Sequence, residues 1–292
     1  MATTETRSAR YAEIEDWSTA EMVDGILEGQ FAAIAAVHAA RDSIARTIDA
    51  MAEKLAAGGR IIYMGAGTSG RIGAQDGAEL PPTFNWPYER AITLMAGGPE
   101  ALLRAVENAE DGRTTASEAL DTARLSARDV VIGLAASGST PFVVAGLTYA
   151  RAKGALTIGI INNPGGDVGR AAEIEILLNT GAEFLAGSTR MKAGTAQKAA
   201  LNAISTAVMI RLGYVYRGMM VEMRLSNAKL RERAALMVAE LTGAEIEVAR
   251  KTLVEAGGII KLATVMLSRS MSRAEAEAAL AAVGGNLRKA LA

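Results

Sequence analysis

Three segments of this chain carry the residue types that hold anions. Gly65-Ala-Gly-Thr-Ser-Gly70 and Ala135-Ala-Ser-Gly-Ser-Thr-Pro141 each follow a short apolar run, and Gly187-Ser-Thr-Arg-Met-Lys-Ala-Gly-Thr-Ala-Gln-Lys198 opens a long helical pattern. A glycine turn between a strand and a helix aims backbone N–H groups and a helix N-terminus at one point, which suits phosphate. Gly67 lies at the centre of the first turn, and the hydroxyls of Thr68, Ser69, Ser137, Ser139, Thr140, Ser188 and Thr189 add donors. Arg190 and Lys192 suit a phosphate or a substrate carboxylate, with ordinary salt bridges as the alternative. Any one of these loops is equally a helix N-cap, where serine and threonine are common. Two of them on successive strand ends favour phosphate.

The first loop also spells the dinucleotide fingerprint, G-x-G-x-x-G. That fingerprint needs an acid at the end of the second strand to hold a ribose. Here that strand ends Leu94-Met-Ala-Gly-Gly98, so a nicotinamide site is not expected. No lysine follows either glycine loop in the manner of a P-loop, which argues against nucleoside triphosphate chemistry.

The elements that must position these loops follow from the apolar runs Arg60–Met64, Ala91–Met95, Asp129–Leu134, Leu156–Ile161 and Ile174–Leu178. They lack polar alternation, as strands covered on both faces do. Helical patterns separate them, which predicts right-handed crossovers, a parallel sheet and ligands at the carboxyl ends of the strands. Residues 1–58 read as helical, with a capping box at Ser18-Thr-Ala-Glu21 and a stop at Gly58-Gly59. A helix is predicted from Pro99, with Glu110 near its end. The motif at 187–198 leads into a helix reaching Leu212, and the chain is helical from about 227 onward. Thr242-Gly-Ala-Glu245 and Ser272-Arg-Ala-Glu275 are two further capping-box patterns, each followed by a double glycine. The expected segments are 1–58 (helices packed on the core), 59–226 (the α/β domain) and 227–292 (a small helical domain for packing or dimerisation).

Composition removes several function classes. A formal net charge of -1 over 292 residues gives no field toward nucleic acid or an anionic membrane. With no cysteine and one histidine, His38, there is neither a disulfide nor a thiolate metal site, and no metal is expected. The polar start of the chain shows no signal peptide, which fits a cytoplasmic protein. The uncharged stretch from Val130 to Ala150 is broken at Ser137-Gly-Ser-Thr-Pro141 and reads as strand, loop and helix rather than a membrane span.

These segments together resemble the sugar isomerase (SIS) domain. They are more closely similar to N-acetylmuramic acid 6-phosphate etherases and the related glucokinase regulatory proteins. The resemblance runs from about Asp16 to the C-terminus. It rests on the two glycine loops, Glu79-Leu-Pro-Pro-Thr-Phe84, Ala105-Val-Glu-Asn-Ala-Glu-Asp111 and the motif at 187–198. It implies a three-layer α/β/α SIS domain with a five-stranded parallel sheet, N-terminal helices and a small all-helical C-terminal domain. It further implies a homodimer, no cofactor and a sugar 6-phosphate substrate. The family's two catalytic carboxylates map to Glu79 and Glu110. Around them the chain departs from the family pattern. A small hydroxyl has become Ala78, a cysteine has become Leu80, and Asn85 and Asn108 stand where glycines are usual.

The family reaction splits the lactyl ether at C3 of the sugar. Ring opening exposes a C1 aldehyde that acidifies C2, so a base can take the C2 proton while an acid protonates the leaving oxygen, and water then adds at C3. Two positioned carboxylates can carry both roles. From residue pattern alone Glu79 is as well read as a loop acceptor, and Glu110 as part of a solvated face with Glu107 and Asp111. A SIS-type isomerase and a non-catalytic sugar phosphate-binding regulator are the alternatives. Isomerases of this type often use a histidine for ring opening, and only His38 is available here.

Overall fold

The computed structural model describes residues 3–104 and 106–292; Met1, Ala2 and Ala105, the last within a segment quoted above, lie outside the described residues. Contacts divide the chain into two compact units. One holds the residues up to Ala78 together with Tyr88–Thr206, and the other holds Glu79–Pro87 with Ala207–Ala292.

The first unit begins with three short 3-10 turns, Thr3–Glu5, Ala9–Tyr11 and Ile14–Asp16, where a helical pattern was expected. Helix α1, Thr19–Ala39, starts at the predicted box: Ser18 N–H donates to Glu21 and Glu21 N–H donates back to Ser18 Oγ. A break at Ala40 separates it from α2, Arg41–Ala56. There follow β1 (Ile61–Gly65), α3 (Gly67–Phe84), β2 (Ala91–Met95), α4 (Arg113–Thr122), β3 (Val130–Ala135), α5 (Pro141–Ala152), β4 (Leu156–Ile161), α6 (Asp167–Ala171), β5 (Ile174–Leu177) and α7 (Lys192–Arg211). The five strands form one parallel sheet in the order β2-β1-β3-β4-β5.

Side-chain alternation sorts the helices into layers. Met64 and Gly133 face α5, where a Cβ on Gly133 would lie 2.7 Å from Val143 Cγ1. Gly159, the register partner of Gly133, leaves the same kind of room for α6. Tyr63 faces the other way, onto α3, and a Cβ at Gly73 would sit 3.1 Å from Tyr63 Cβ. The buried Tyr63 hydroxyl donates to Asp76 Oδ2 (2.8 Å), and Ser205 Oγ donates to Asp76 Oδ1 (3.1 Å), so one carboxylate ties β1, α3 and α7 together. Burial, with Asp76 beside it, pushes the Tyr63 phenol well above its ordinary range.

The helix expected from Pro99 is instead a 3-10 turn, Pro99–Leu102. Glu110 lies in a second such turn, Ala109–Asp111, immediately before α4 and not at a helix C-terminus. Gly97 explains the loop. Its φ is +85°, and a Cβ there would press on Val106 and Ala109, so the loop packs against the end of β2 instead of extending as a helix.

In the second unit, β6 (Val215–Tyr216) and β7 (Met219–Met220) form an antiparallel hairpin not anticipated from the sequence. Its turn puts both Arg217 (φ +47°) and Gly218 (φ +77°) in the left-handed region, the requirement of a type I′ turn. Five helices follow: α8 (Ala228–Thr242), α9 (Ile246–Glu255), α10 (Ile260–Arg269), α11 (Arg273–Ala282) and α12 (Leu287–Leu291). Their core includes Val238, Leu253, Leu262, Val265 and Leu287. Buried Lys261 pairs with Glu222 (2.6 Å), donates to Gly285 O (2.8 Å) and lies over the Tyr214 ring. The capping box at Ser272 is present. The one expected at Thr242 is not. Thr242 is still the last residue of α8, its hydroxyl donating to Val238 O, and Gly243 (φ +73°) ends that helix.

At the amino end of the sheet, Arg60 grips Asp129 through Nη2 (2.7 Å) and Nε (3.1 Å). Burial raises the Asp129 carboxyl, but Arg60 and the N–H groups of Ser126 and Arg60 outweigh it and hold the group below its ordinary range. The stability this contributes is present above the unfolded-state pKa and is lost as pH falls through the lowered folded value. Asp129→Asn is expected to cost about 2 kcal/mol at pH 7, less than the roughly 3–5 of a fully buried pair, because the guanidinium keeps some solvent contact. In denaturant titrations the gap between wild type and variant should close as pH falls below about 4.

Candidate active site

Strand β2 lies on one side of β1 and β3 on the other, so the chain leaves β1 and β3 in opposite directions and a crevice opens at their carboxyl ends. A cleft of about 480 Å³ occupies it. Gly67, Thr68 and Ser69 line it from the turn after β1, and Ser137, Ser139 and Thr140 line it from the turn after β3. Thr189 and Glu110 complete the set of predicted residues that meet there. Ser188, Arg190 and Lys192 do not line it: Arg190 is exposed, and Lys192 is the first residue of α7.

The turn after β1 needs its glycines. Gly67 has φ +52°, and a Cβ on Gly65 would come within 2.7 Å of Gly70. The turn after β3 is fixed from below, where Val168 N–H donates to Gly138 O (2.9 Å) and Gly138 has φ +77°. Ser137 Oγ accepts from Ser139 N–H (3.2 Å). Thr140 is the N-cap of α5, yet its side chain makes no capping hydrogen bond. That weakens the ordinary reading of this loop as a helix cap and leaves its donors to a ligand. The cleft therefore gathers the N-termini of α3 and α5 with the hydroxyls of Thr68, Ser69, Ser137, Ser139, Thr140 and Thr189, and among the described residues its lining contains no lysine or arginine. An anion there is held by neutral donors and helix ends.

Glu110 stands between this cleft and a second hollow of about 270 Å³ lined by Arg71, Met95, Val106 and Asn108. Arg71 Nε donates to Leu102 O (3.0 Å) and so holds the turn that leads to Glu110. Asn108 has φ +57° and Asn85 has φ +53°. Both positions that depart from glycine thus sit in the left-handed region, where asparagine is the most tolerated replacement. Glu79 lies exposed on α3, with Ala78 exposed and Leu80 buried beside it, and it belongs to the second compact unit. Among the described residues no three His, Cys, Asp or Glu side chains cluster as metal ligands would, and no helix is long and apolar enough to cross a membrane.

Family comparisons agree with this geometry. The glucokinase regulatory protein N-terminal SIS domain matches residues 43–151, and the SIS domain matches residues 113–207. An N-acetylmuramic acid 6-phosphate etherase of Deinococcus radiodurans is 43% identical, over 96% of this chain and 92% of its own length. One of Cronobacter sakazakii is 46% identical over 98% and 97%. The chain belongs to the N-acetylmuramic acid 6-phosphate etherase family. Among solved structures, candidate phosphosugar isomerases from Listeria monocytogenes and Bacteroides fragilis share the fold. Each is 18% identical and covers 68% of this chain and 94% of its own, with TM-scores of 0.50 and 0.51.

This etherase-family chain also builds its site with residues that sequence reading passes over. Asn163, buried after β4, donates to Ala136 O (2.8 Å) and so fixes the start of the Ser137 loop. Glu5 lines the cleft from the N-terminal segment. Buried Glu183 accepts from Ala193 N–H (2.9 Å) and Lys192 N–H (3.1 Å), capping α7 where the 187–198 motif enters it. Burial raises the Glu183 carboxyl above its ordinary range against the pull of those two N–H groups and of Lys192. Asn162-Asn163-Pro-Gly-Gly reads as a turn, and Glu183 stands alone between apolar residues, so neither carries a motif. Glu183→Ala strands the buried Ala193 N–H and is expected to cost about 2 kcal/mol. Amide hydrogen exchange should quicken at 187–194 and stay unchanged in β1 and β3; uniform exchange across the chain would refute this capping role.

Proposed function

We propose that this protein cleaves the D-lactyl ether of N-acetylmuramic acid 6-phosphate, giving N-acetylglucosamine 6-phosphate and D-lactate, as part of cell-wall amino sugar recycling in the cytoplasm. Membership of the etherase family carries the reading. The cleft adds independent support, because it pairs a donor-rich, cation-free anion cradle with the carboxylate of Glu110. The 6-phosphate rests on the loops at Gly67–Ser69 and Ser137–Thr140, with Thr189 as a further contact, while Ser188, Arg190 and Lys192 of the same motif stay outside the cleft lining. Glu110 removes the C2 proton of the ring-opened sugar. Glu79 protonates the departing lactyl oxygen and then activates the water that adds at C3. Neither a metal nor a nicotinamide takes part.

Elimination followed by hydration exchanges the C2 hydrogen with solvent and replaces the C3 oxygen with one from water. In heavy water the sugar product should carry deuterium at C2, and in oxygen-18 water it should carry the label at C3 with the lactate oxygen unlabelled. Label in the lactate would mean attack at the lactyl carbon and would end this reading. Glu110→Gln should lose roughly 10²–10⁴ in kcat together with C2 exchange. Glu79→Gln should lose turnover while keeping part of the exchange, because exchange needs only the base.

We also propose a homodimer. Val23, Leu27, Phe31 and Ile34 recur at helical spacing along α1 and are 48–79% exposed, an apolar ridge of the kind that marks an interface. Light scattering should give about twice the 30.3 kDa chain mass, and Phe31→Glu should halve it. A fully active monomer in the wild type would contradict the dimer.

A further inference from the structure

The N-terminal segment ahead of α1 carries a carboxylate into the cleft. Its attachment is specific. Thr4 is fully buried; its N–H donates to Asn163 Oδ1 (3.2 Å), and Asn163 Nδ2 donates back to Thr4 Oγ1 (2.9 Å). Thr3 Oγ1 donates to the same Oδ1 (2.8 Å), and Gly187 N–H donates to Thr4 O (2.9 Å). The next residue, Glu5, therefore lines the same cleft as Ser69, Ser137 and Glu110. Gly187 keeps room for it: a Cβ there would lie 2.7 Å from Glu5 Oε2, and the φ of +77° already disfavours a side chain.

We infer that Glu5 is a substrate-binding carboxylate that accepts hydrogen bonds from the hydroxyl or amide groups of the sugar, and that the Thr4–Asn163 clasp is what positions it. The inference rests on the sugar 6-phosphate reading above and assigns a residue to the part of the ligand that reading leaves without a partner. A phosphate dianion offers acceptors only, so it takes the N–H and O–H donors of the loops after β1 and β3. An ionised carboxylate also offers acceptors only, so Glu5 cannot bond the phosphate and repels it. Its partners must be donors, and on a sugar phosphate these are the hydroxyls and any amide N–H. With Glu110 on the same lining, the cleft has a donor-rich part for phosphate and an acceptor part for sugar. A ligand carrying both fits it in one orientation.

The test compares two probes by calorimetry, N-acetylglucosamine 6-phosphate and inorganic phosphate, on the full chain and on Glu5→Gln, Glu5→Asp and Thr4→Val. Loss of one charge-assisted hydrogen bond predicts roughly tenfold weaker sugar phosphate binding for Glu5→Gln. Inorganic phosphate should bind as before or somewhat more tightly, since a like charge has gone. Glu5→Asp should recover part of the loss, and Thr4→Val should reproduce it through misplacement of the intact carboxylate. Melting temperatures of the Glu5 variants should not move. Unchanged affinity for both probes in Glu5→Gln would overturn the inference. So would an equal loss for both accompanied by a lower melting temperature, which is the signature of a merely structural segment. A gain for phosphate with no loss for the sugar phosphate would overturn it as well, leaving Glu5 as an electrostatic screen. A wild type that binds neither probe would instead sink the sugar 6-phosphate reading itself.

Discussion

At the carboxyl end of β4 two consecutive carboxamides, Asn162 and Asn163, are almost wholly buried, and four separate parts of the first unit hang on them. Asn162 Nδ2 donates to Leu178 O at the end of β5, and Asn162 Oδ1 accepts from Gln197 on α7. Asn163 donates to Ala136 O and exchanges hydrogen bonds with Thr3 and Thr4. Burying a carboxamide without partners costs several kcal/mol, so an arrangement in which every one of these loops is in place at once is strongly preferred over one with a single loop out of place. The turn after β3, the 187–198 motif and the N-terminal segment are thus set by one polar knot rather than by separate apolar contacts.

The glycines solve a different part of the problem. In a parallel sheet covered on both faces, helices must approach closely enough to aim their N-termini at a common point. Gly133 and Gly159 are register partners in the adjacent strands β3 and β4, and they give the space that α5 and α6 respectively occupy. Gly65 and Gly70 do the same within the first turn. Close approach brings the N-termini of α3 and α5 to the carboxyl end of the sheet, where their partial positive charge faces a cleft whose described lining holds no lysine or arginine.

How far the sequence discloses this depends on the range of the interaction. The five strands and their bounding turns are legible within a residue or two, because each is a short apolar run between breakers. The glycine loops are legible for the same reason. The loop that presents Glu110 is not. Pro99 invites a helix, but Gly97 packs against Val106 and Ala109, a contact that no local pattern records. Thr242 shows the converse error, a four-residue motif that is satisfied on paper while the preceding helix still runs through its first residue. The hairpin at Val215–Met220 hides behind an arginine in a left-handed turn position. Glu5 is the most instructive omission. It sits in a polar stretch with no periodicity, and only the buried Thr4–Asn163 contact, spanning 159 positions of sequence, gives it a place.

A phosphate proposed to sit in a cleft whose described lining carries no lysine or arginine implies a particular balance of affinity. Neutral donors and helix ends hold the dianion more weakly than a bidentate arginine does, and two carboxylates nearby oppose it. Phosphate alone is therefore a poor ligand for such a site, and most of the selectivity must come from the portion of the molecule that donates hydrogen bonds. That division suits an elimination. In the proposed reading the phosphate contact, equal in ground and transition states, serves to anchor, whereas Glu110 meets the carbon from which the proton leaves. Anchoring with neutral groups adds no ammonium or guanidinium beside Glu110 from the phosphate side, and Arg71, which shares the adjoining hollow with Glu110, is engaged with Leu102 O. In the same reading, the lack of lysine and arginine among the described lining residues suits a cleft that must keep a carboxylate available as a base.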